Sequence, residues 1–173
     1  MRQTGFTLIE LIVAIAILAV LATIALPSLR TPYQKNQLAS AKNALIASLQ
    51  QARGEALSGA RPVVVCPTRN QTSCERQGDW SAGWLSYRDD NRNGRLDPVE
   101  RVLSVHALEN STLRVRTSDG RRKLTYRPMG RADGSNVRFV FCIEGDRVNS
   151  GQVIVANTGR IRSTDRAPAG ACR

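Results

Sequence analysis

Hydrophobic and polar positions divide the chain into two unlike parts. From Phe6 to Leu26 nearly every side chain is aliphatic; the only charge is Glu10, and the polar residues are Thr7 and Thr23. At ~1.5 Å per residue a helix over this run is ~31 Å long, about the thickness of a bilayer core. Pro27 and Pro32 follow. Each removes a backbone donor, so a kink or a short melted stretch is expected there. Helical spacing then resumes over Gln34–Leu57, where Leu38, Leu45, Leu49, Ala52 and Ala56 fall on one face and Lys42, Gln50 and Arg53 are expected to face away. Gly59 and Pro62 end the helix.

Beyond residue 60 the pattern changes to short apolar runs with strand character: Pro62–Thr68, Trp80–Tyr87, Arg101–Leu108, Leu113–Thr117, Lys123–Arg127, Val137–Ile143 and Gln152–Ala156. Asp119-Gly120, Asp133-Gly134 and Gly151 supply turns between several of them. The expected fold is α+β: one long N-terminal helix, transmembrane and then amphipathic, packed on small antiparallel sheets. The expected segments are 1–5 as a leader, 6–26 as the transmembrane helix, 27–60 as the amphipathic continuation and 61–173 as a β-rich globular domain. Trp80, Trp84 and Tyr126 are expected in its packing, and His106 stands alone on a strand.

Charge sharpens the picture. The net charge is +11, and residues 113–173 hold 13 Lys and Arg against 5 Asp and Glu. Arginine dominates, which suits phosphates or an acidic neighbour; a solvated basic surface is the plainer reading. Four cysteines, Cys66, Cys74, Cys142 and Cys172, allow three pairings. No Cys-x-x-Cys occurs and there is one histidine, so a zinc site is not expected. An even count beyond an apolar segment points to an oxidising compartment. The short polar stretch between Cys66 and Cys74 favours a local bridge, which leaves Cys142 to tie down Cys172.

The residues Gly5-Phe6-Thr7-Leu8-Ile9-Glu10, directly before the apolar run, resemble the prepilin peptidase motif of type IV pilins and type II secretion pseudopilins. The resemblance implies cleavage after Gly5, methylation of the new amino terminus at Phe6, and a role for Glu10 in assembly. A carboxylate in hydrocarbon needs a partner, and the resemblance implies that the Phe6 amine of a neighbouring subunit provides it. It also implies an N-terminus in the cytoplasm, a periplasmic head, insertion in the inner membrane and later residence in a filament, near its tip. The implied partners are other pilins through the N-terminal helix, the prepilin peptidase and the inner-membrane assembly platform.

Asp79-Trp80-Ser81-Ala82-Gly83-Trp84-Leu85, with the Asp89–Glu100 stretch behind it, resembles the FimT/FimU/GspH group of minor pilins and minor pseudopilins. This implies a pilus-assembly role; the alternative is the minor pseudopilin H of a type II secretion system. The FimT branch includes subunits that bind DNA in natural transformation through a C-terminal Gly-Arg-x-Arg motif, and Gly159-Arg160-Ile161-Arg162 stands at the corresponding place. Arg160, Arg162 and Arg166 are therefore candidates for double-stranded DNA, on a flexible tail that would grip phosphates without reading bases. The tail lacks aromatics, so base stacking is not expected. The competing geometry is a turn followed by a strand whose arginines face water. Arg121, Arg122 and Lys123 form a second basic cluster, which also reads as an exposed hairpin.

Asp89 to Glu100 fits a calcium-loop spacing, with Asp89, Asn91, Asn93, Asp97 and Glu100 at ligand positions and Gly94 at the sharp turn. The same residues also read as an Asn-Gly hairpin capped by Asx side chains. No other cofactor is expected. No Gly-x-Ser-x-Gly motif, phosphate-cradling loop or metal-ligand cluster is read in the sequence, so no enzyme is expected.

Overall fold

The computed structural model describes residues 7–109, 112–118, 121–134 and 136–172, with the side chains of 24–30 and 147–148 left out of the description. Gly5, Phe6 and the Asp119-Gly120 turn lie outside the described residues. The chain falls into two units, residues 1–36 and 37–173. One helix, α1, covers Leu8–Ser58. Eight strands follow: β1 (Val63–Pro67), β2 (Gly83–Arg88), β3 (Val102–Ala107), β4 (Leu113–Thr117), β5 (Leu124–Tyr126), β6 (Val137–Ile143), β7 (Asp146–Val155) and β8 (Ile161–Thr164).

In the first unit α1 opens at Thr7. The Thr7 N–H and hydroxyl both donate to Glu10 Oε2 at 2.9 Å, and the Glu10 N–H points back at Thr7 Oγ1 at 3.4 Å. This is a capping box, Thr-x-x-Glu, which satisfies donors that the first helical turn leaves open. From Leu8 to Leu21 the large aliphatic side chains are 50–78% exposed. Helix assignment runs unbroken through Pro27 and Pro32, so the expected melted stretch is absent. A proline removes one N–H donor, and the helix continues on both sides of each. Among the described residues no helix is long and apolar enough to cross a membrane; the expected crossing at 6–26 begins and ends outside the described side chains.

In the second unit two antiparallel four-stranded sheets, ordered β3-β2-β1-β5 and β4-β6-β7-β8, enclose a core with the end of α1. Leu38, Ala41, Leu45, Leu49, Ala52 and Ala56 are buried at steps of three and four, the single stripe that the 3.6-residue period requires. Alternation in β4 and β6 sends Leu113, Val115, Val137, Phe139, Phe141 and Ile143 inward. Trp80 meets Phe139 edge-on at 4.8 Å, and the Trp84 indole N–H donates to Ser48 Oγ on α1 at 2.9 Å. β1 is buried on both faces. Its outer face, with Val64 and Cys66, packs with Leu85, Tyr87, Cys74 and Leu96.

Lys42 departs from expectation. It sits on the buried face, 5% exposed, with its ammonium paired to the Asp165 carboxylate and directed at the Thr164 carbonyl. Its stem lies over Gly151, where a Cβ would come within 2.8 Å of Lys42 Cδ. A long aliphatic stem is buried while the charged head finds a carboxylate at the rim. Arg53 also turns inward in part, donating to the Gly130 carbonyl at 3.0 Å.

Candidate functional site

The residues after the helix place arginine on one face of the second sheet. In β4, Leu113 and Val115 point to the core, so Arg114 and Arg116 point out. In β6, Arg138, Val140 and Cys142 point out. Register completes the face: Arg116 lies opposite Val140, Arg138 opposite Ile154, and Ile154 opposite Arg162 of β8. Cross-strand partners share a face, so Arg114, Arg116, Arg138 and Arg162 belong to one surface. A groove of about 460 Å³ runs between Ser118, Asn136, Arg138, Ile154, Arg162 and Thr164. A second hollow of about 470 Å³ touches Arg114, Arg116, Cys142, Glu144 and Cys172.

The Gly159-Arg160-Ile161-Arg162 segment is a tight β7–β8 turn and the start of an edge strand, so the flexible-tail reading is corrected. The Gly159 N–H donates to the Ala156 carbonyl at 2.8 Å, and the Ala156 N–H to the Arg160 carbonyl at 2.9 Å. Gly159 has φ +81°, and a Cβ there would sit 2.0 Å from the Gly130 carbonyl oxygen. The glycine is thus required by the turn. Pairing with β7 then points Arg162 outward, and Arg160, in the turn just before β8, is exposed.

The cations differ in how they are engaged. Arg114 pairs with Glu144 at 2.6 Å. Arg116 bridges through its backbone to Asp79. Burial pushes the Asp79 carboxyl up, but hydrogen bonds from Ser81 and the charges of Arg69 and Arg116 bring it below its ordinary value overall. Arg138, Arg160 and Arg162 carry no ion pair among the described residues. Arg166 is exposed, and its carbonyl accepts the Thr164 hydroxyl at 2.9 Å. The second basic cluster is divided: the Lys123 ammonium is bound to the Gly94 carbonyl, the Arg121 guanidinium lies against Gly134, and Arg122 is exposed.

All four cysteines are paired, Cys66 with Cys74 and Cys142 with Cys172. The second bridge shapes the basic face. After β8 the Ala167 N–H donates to Ser150 Oγ at 3.1 Å, and Ser150 lies opposite Cys142. The C-terminal segment therefore crosses back over β7 and ends on the outer side of β6. It covers the Cys142 end of the face and leaves the Arg138–Arg162 end open.

The Asp89–Glu100 loop joins β2 to β3. Asp97 Oδ2 accepts the side-chain amides of Asn91 at 2.8 Å and Asn93 at 2.7 Å, which hold the Asp97 carboxyl below its ordinary value. Glu100 accepts the N–H groups of Asp90 and Asp97. Burial, reinforced by the charges of Asp89, Glu100 and Asp97, pushes the Tyr87 phenol far above its usual range. Among the described residues no three Asp, Glu, His or Cys side chains stand together as a ready-made metal cluster. His106 stacks on Trp84 at 4.6 Å, and its partial burial lowers its pKa.

Helix, twin sheets and the apolar N-terminal segment define a pilin fold, the class of filament-forming and filament-like subunits. The sequence profile described as Type II transport protein GspH matches residues 41–159, and the prokaryotic N-terminal methylation motif matches residues 1–26. The chain belongs to the GspH family. Its role is that of a structural subunit, a minor pilin or pseudopilin of a type IV pilus or a type II secretion system, and not that of an enzyme. The methylation motif marks it as an inner-membrane prepilin that passes into a filament. The fold is similar to the type IV minor pilin FimU of Pseudomonas aeruginosa in two crystal forms. The first has TM-score 0.61 and 24% identity over 78% of this chain and 94% of that one. The second has TM-score 0.58 and 24% identity over 76% and 98%. The minor pseudopilin EpsH of the Vibrio cholerae Type 2 Secretion System is similar at TM-score 0.55, 10% identity, over 75% and 97%. No curated protein matches the chain.

Proposed function

We propose that the chain is a minor pilin of a type IV pilus whose outer sheet face binds the backbone of double-stranded DNA. The observation that carries this reading is the alignment of Arg138 and Arg162 across Ile154 on one open face, with the exposed Arg160 in the turn just before β8, all without carboxylate partners among the described residues. Guanidinium groups make paired hydrogen bonds to phosphate, and a row of them on rigid strands holds a duplex without reading its sequence. Arg116, and Arg166 beyond β8, extend the positive field. Arg121, Arg122 and Lys123 add to it only at long range, since Lys123 is held at Gly94.

Cleavage after Gly5 and methylation at Phe6 prepare the chain for assembly in this reading. Glu10 then meets the Phe6 amine of a neighbouring subunit, the N-terminal helix joins other pilins, and the head projects near the filament tip. The test is duplex DNA binding by the full chain in detergent micelles. Arg138→Gln with Arg162→Gln should weaken binding, while Arg76→Gln, just past the Cys66–Cys74 bridge of the other sheet, should not. Equal loss in both variants refutes the interface.

The family description, a type II transport protein, favours a second reading, a pseudopilin of a secretion system. Deleting the gene separates the two: loss of surface pili with normal secretion supports the pilus, and the reverse supports secretion.

A further inference from the structure

The loop between β2 and β3 has a feature that the filament and DNA readings leave unused. Asp89 is buried, 3% exposed. Its Oδ2 accepts the Gly94 N–H at 2.9 Å, while its Oδ1 is buried with no hydrogen-bond donor. A buried carboxylate oxygen without a donor is unfavourable. Nearby backbone donors are already committed: Asn93 N–H to Asn91 Oδ1 at 3.0 Å, Arg95 N–H to Asn93 Oδ1 at 2.7 Å, and Asp90 and Asp97 N–H to Glu100. The Tyr87 hydroxyl is buried under the influence of the same carboxylates and does not reach it either, so the oxygen is open to a cation.

We propose that this loop is a calcium site, with the side chains of Asp89, Asn91, Asn93, Asp97 and Glu100 and the carbonyl of Arg95 as oxygen ligands. These are the first, third, fifth, ninth, twelfth and seventh residues of a twelve-residue calcium loop, and the sixth is Gly94. Gly94 takes φ +68°, the left-handed turn that wraps such a loop around its ion. The bond from its N–H to Asp89 Oδ2 ties that wrap to the first carboxylate and leaves the other oxygen of Asp89 without a donor.

The remaining ligands are close to hand. Asn91 and Asn93 both reach Asp97 Oδ2, so three side chains already converge. The Asn91 and Asn93 oxygens each use one lone pair on a backbone N–H, and Glu100 uses one on each of its oxygens, so each keeps another for a metal. Leu96 packs against the Val64, Cys66, Leu85 and Tyr87 cluster, which anchors the middle of the loop to the first sheet. All six ligands are oxygen, and the carboxylates bring three negative charges, a set suited to a hard cation. The Lys123 ammonium rests on the Gly94 carbonyl, an oxygen the spacing does not use. Since the carboxylates do not yet form a cluster of three, binding draws Asp97 and Glu100 in toward Asp89. The ion then pins the join between β2 and the edge strand β3, where the Arg88 N–H meets the Arg101 carbonyl.

The test is calorimetric titration of the full chain, stripped with chelator and held in detergent micelles, with calcium chloride and separately with magnesium chloride. One calcium per chain is expected, with Kd on the order of 10⁻⁴–10⁻³ M, the range of extracellular modules, and weaker magnesium binding. Asp89→Asn should abolish binding. Asn93→Ala, at an exposed position, should keep the parent's circular dichroism in chelator, with a small fall in melting temperature from its lost bonds to Asp97 and Arg95, yet weaken calcium at least ~10-fold. Absence of a saturable signal up to about 10 mM calcium, magnesium binding as tight as calcium, or parental affinity in Asn93→Ala overturns the proposal. DNA binding is read in a separate assay, so either proposal can fail alone.

Discussion

Salt dependence gives the sharpest test of the basic face. Each phosphate neutralised on duplex DNA releases condensed counterions, and log K falls against log salt with a slope near −0.9 per contact. Arg114 is excluded from the count because it pairs with Glu144, and Arg116 because its charge acts on Asp79. Arg166 is left out because it lies beyond β8, off the sheet face; Arg138, Arg160 and Arg162 remain. Three contacts give a slope of about −2.7, and so about a 40-fold loss of affinity between 50 and 200 mM salt. Replacing Arg138 and Arg162 with Gln leaves one contact, a slope of about −0.9 and only about a 3- to 4-fold loss over the same range. The assay is fluorescence anisotropy of a labelled random duplex against the full chain in nonionic detergent, with Arg76→Gln as control. A double variant whose slope equals the parent's would refute the reasoning, even if its affinity at one salt concentration had dropped.

Three further outcomes follow from other parts of the molecule. Ser48→Ala leaves the buried Trp84 indole N–H without its acceptor, and should lower stability by ~1–3 kcal/mol, about 3–10 °C in melting temperature; loss of the same size on a Trp84→Phe background would refute the link. His106 has a folded pKa below its ordinary 6.5, so the folded chain takes up that proton at lower pH than the unfolded chain does. Its stability contribution is complete above about pH 6.5 and declines as pH falls through the folded value; urea midpoints measured from pH 8 to 5 should fall less steeply in His106→Gln. Glu10→Val should insert in the membrane normally and enter filaments poorly; normal incorporation in a shear fraction would count against the pairing with Phe6.

Much of the architecture could be read from periodicity. Leu38, Leu45, Leu49, Ala52 and Ala56 mark the buried stripe, and alternation in Val137–Ile143 marks a strand with one face in the core. Lys42 is not placed by local pattern, because its burial depends on Asp165, 123 positions away. No local window contains that partner. The capping box is legible as Thr7-x-x-Glu10, the spacing that opens a helix. The arginine face is illegible for a different reason. Arg116, Arg138 and Arg162 belong to three separate runs, and only the order β4-β6-β7-β8 and its register place them on one surface. The turn geometry of Gly159 likewise depends on the Gly130 carbonyl, which arrives from another segment.

The strap that ends at Cys172 makes the shape of this surface a matter of thiol chemistry. Before oxidation, the segment after Asp165 would be fastened to the sheet, among the described residues, by hydrogen bonds with the Ser150 and Thr164 hydroxyls, and the hollow beside Arg114 and Arg116 would be free to join the groove at Arg138 and Arg162. Closure of the bridge divides that longer trough and dedicates its far end to the strap. A head that matured without an oxidant would thus present a broader cationic surface than the finished subunit, and the size of its footprint on any polyanion would record where it had been folded.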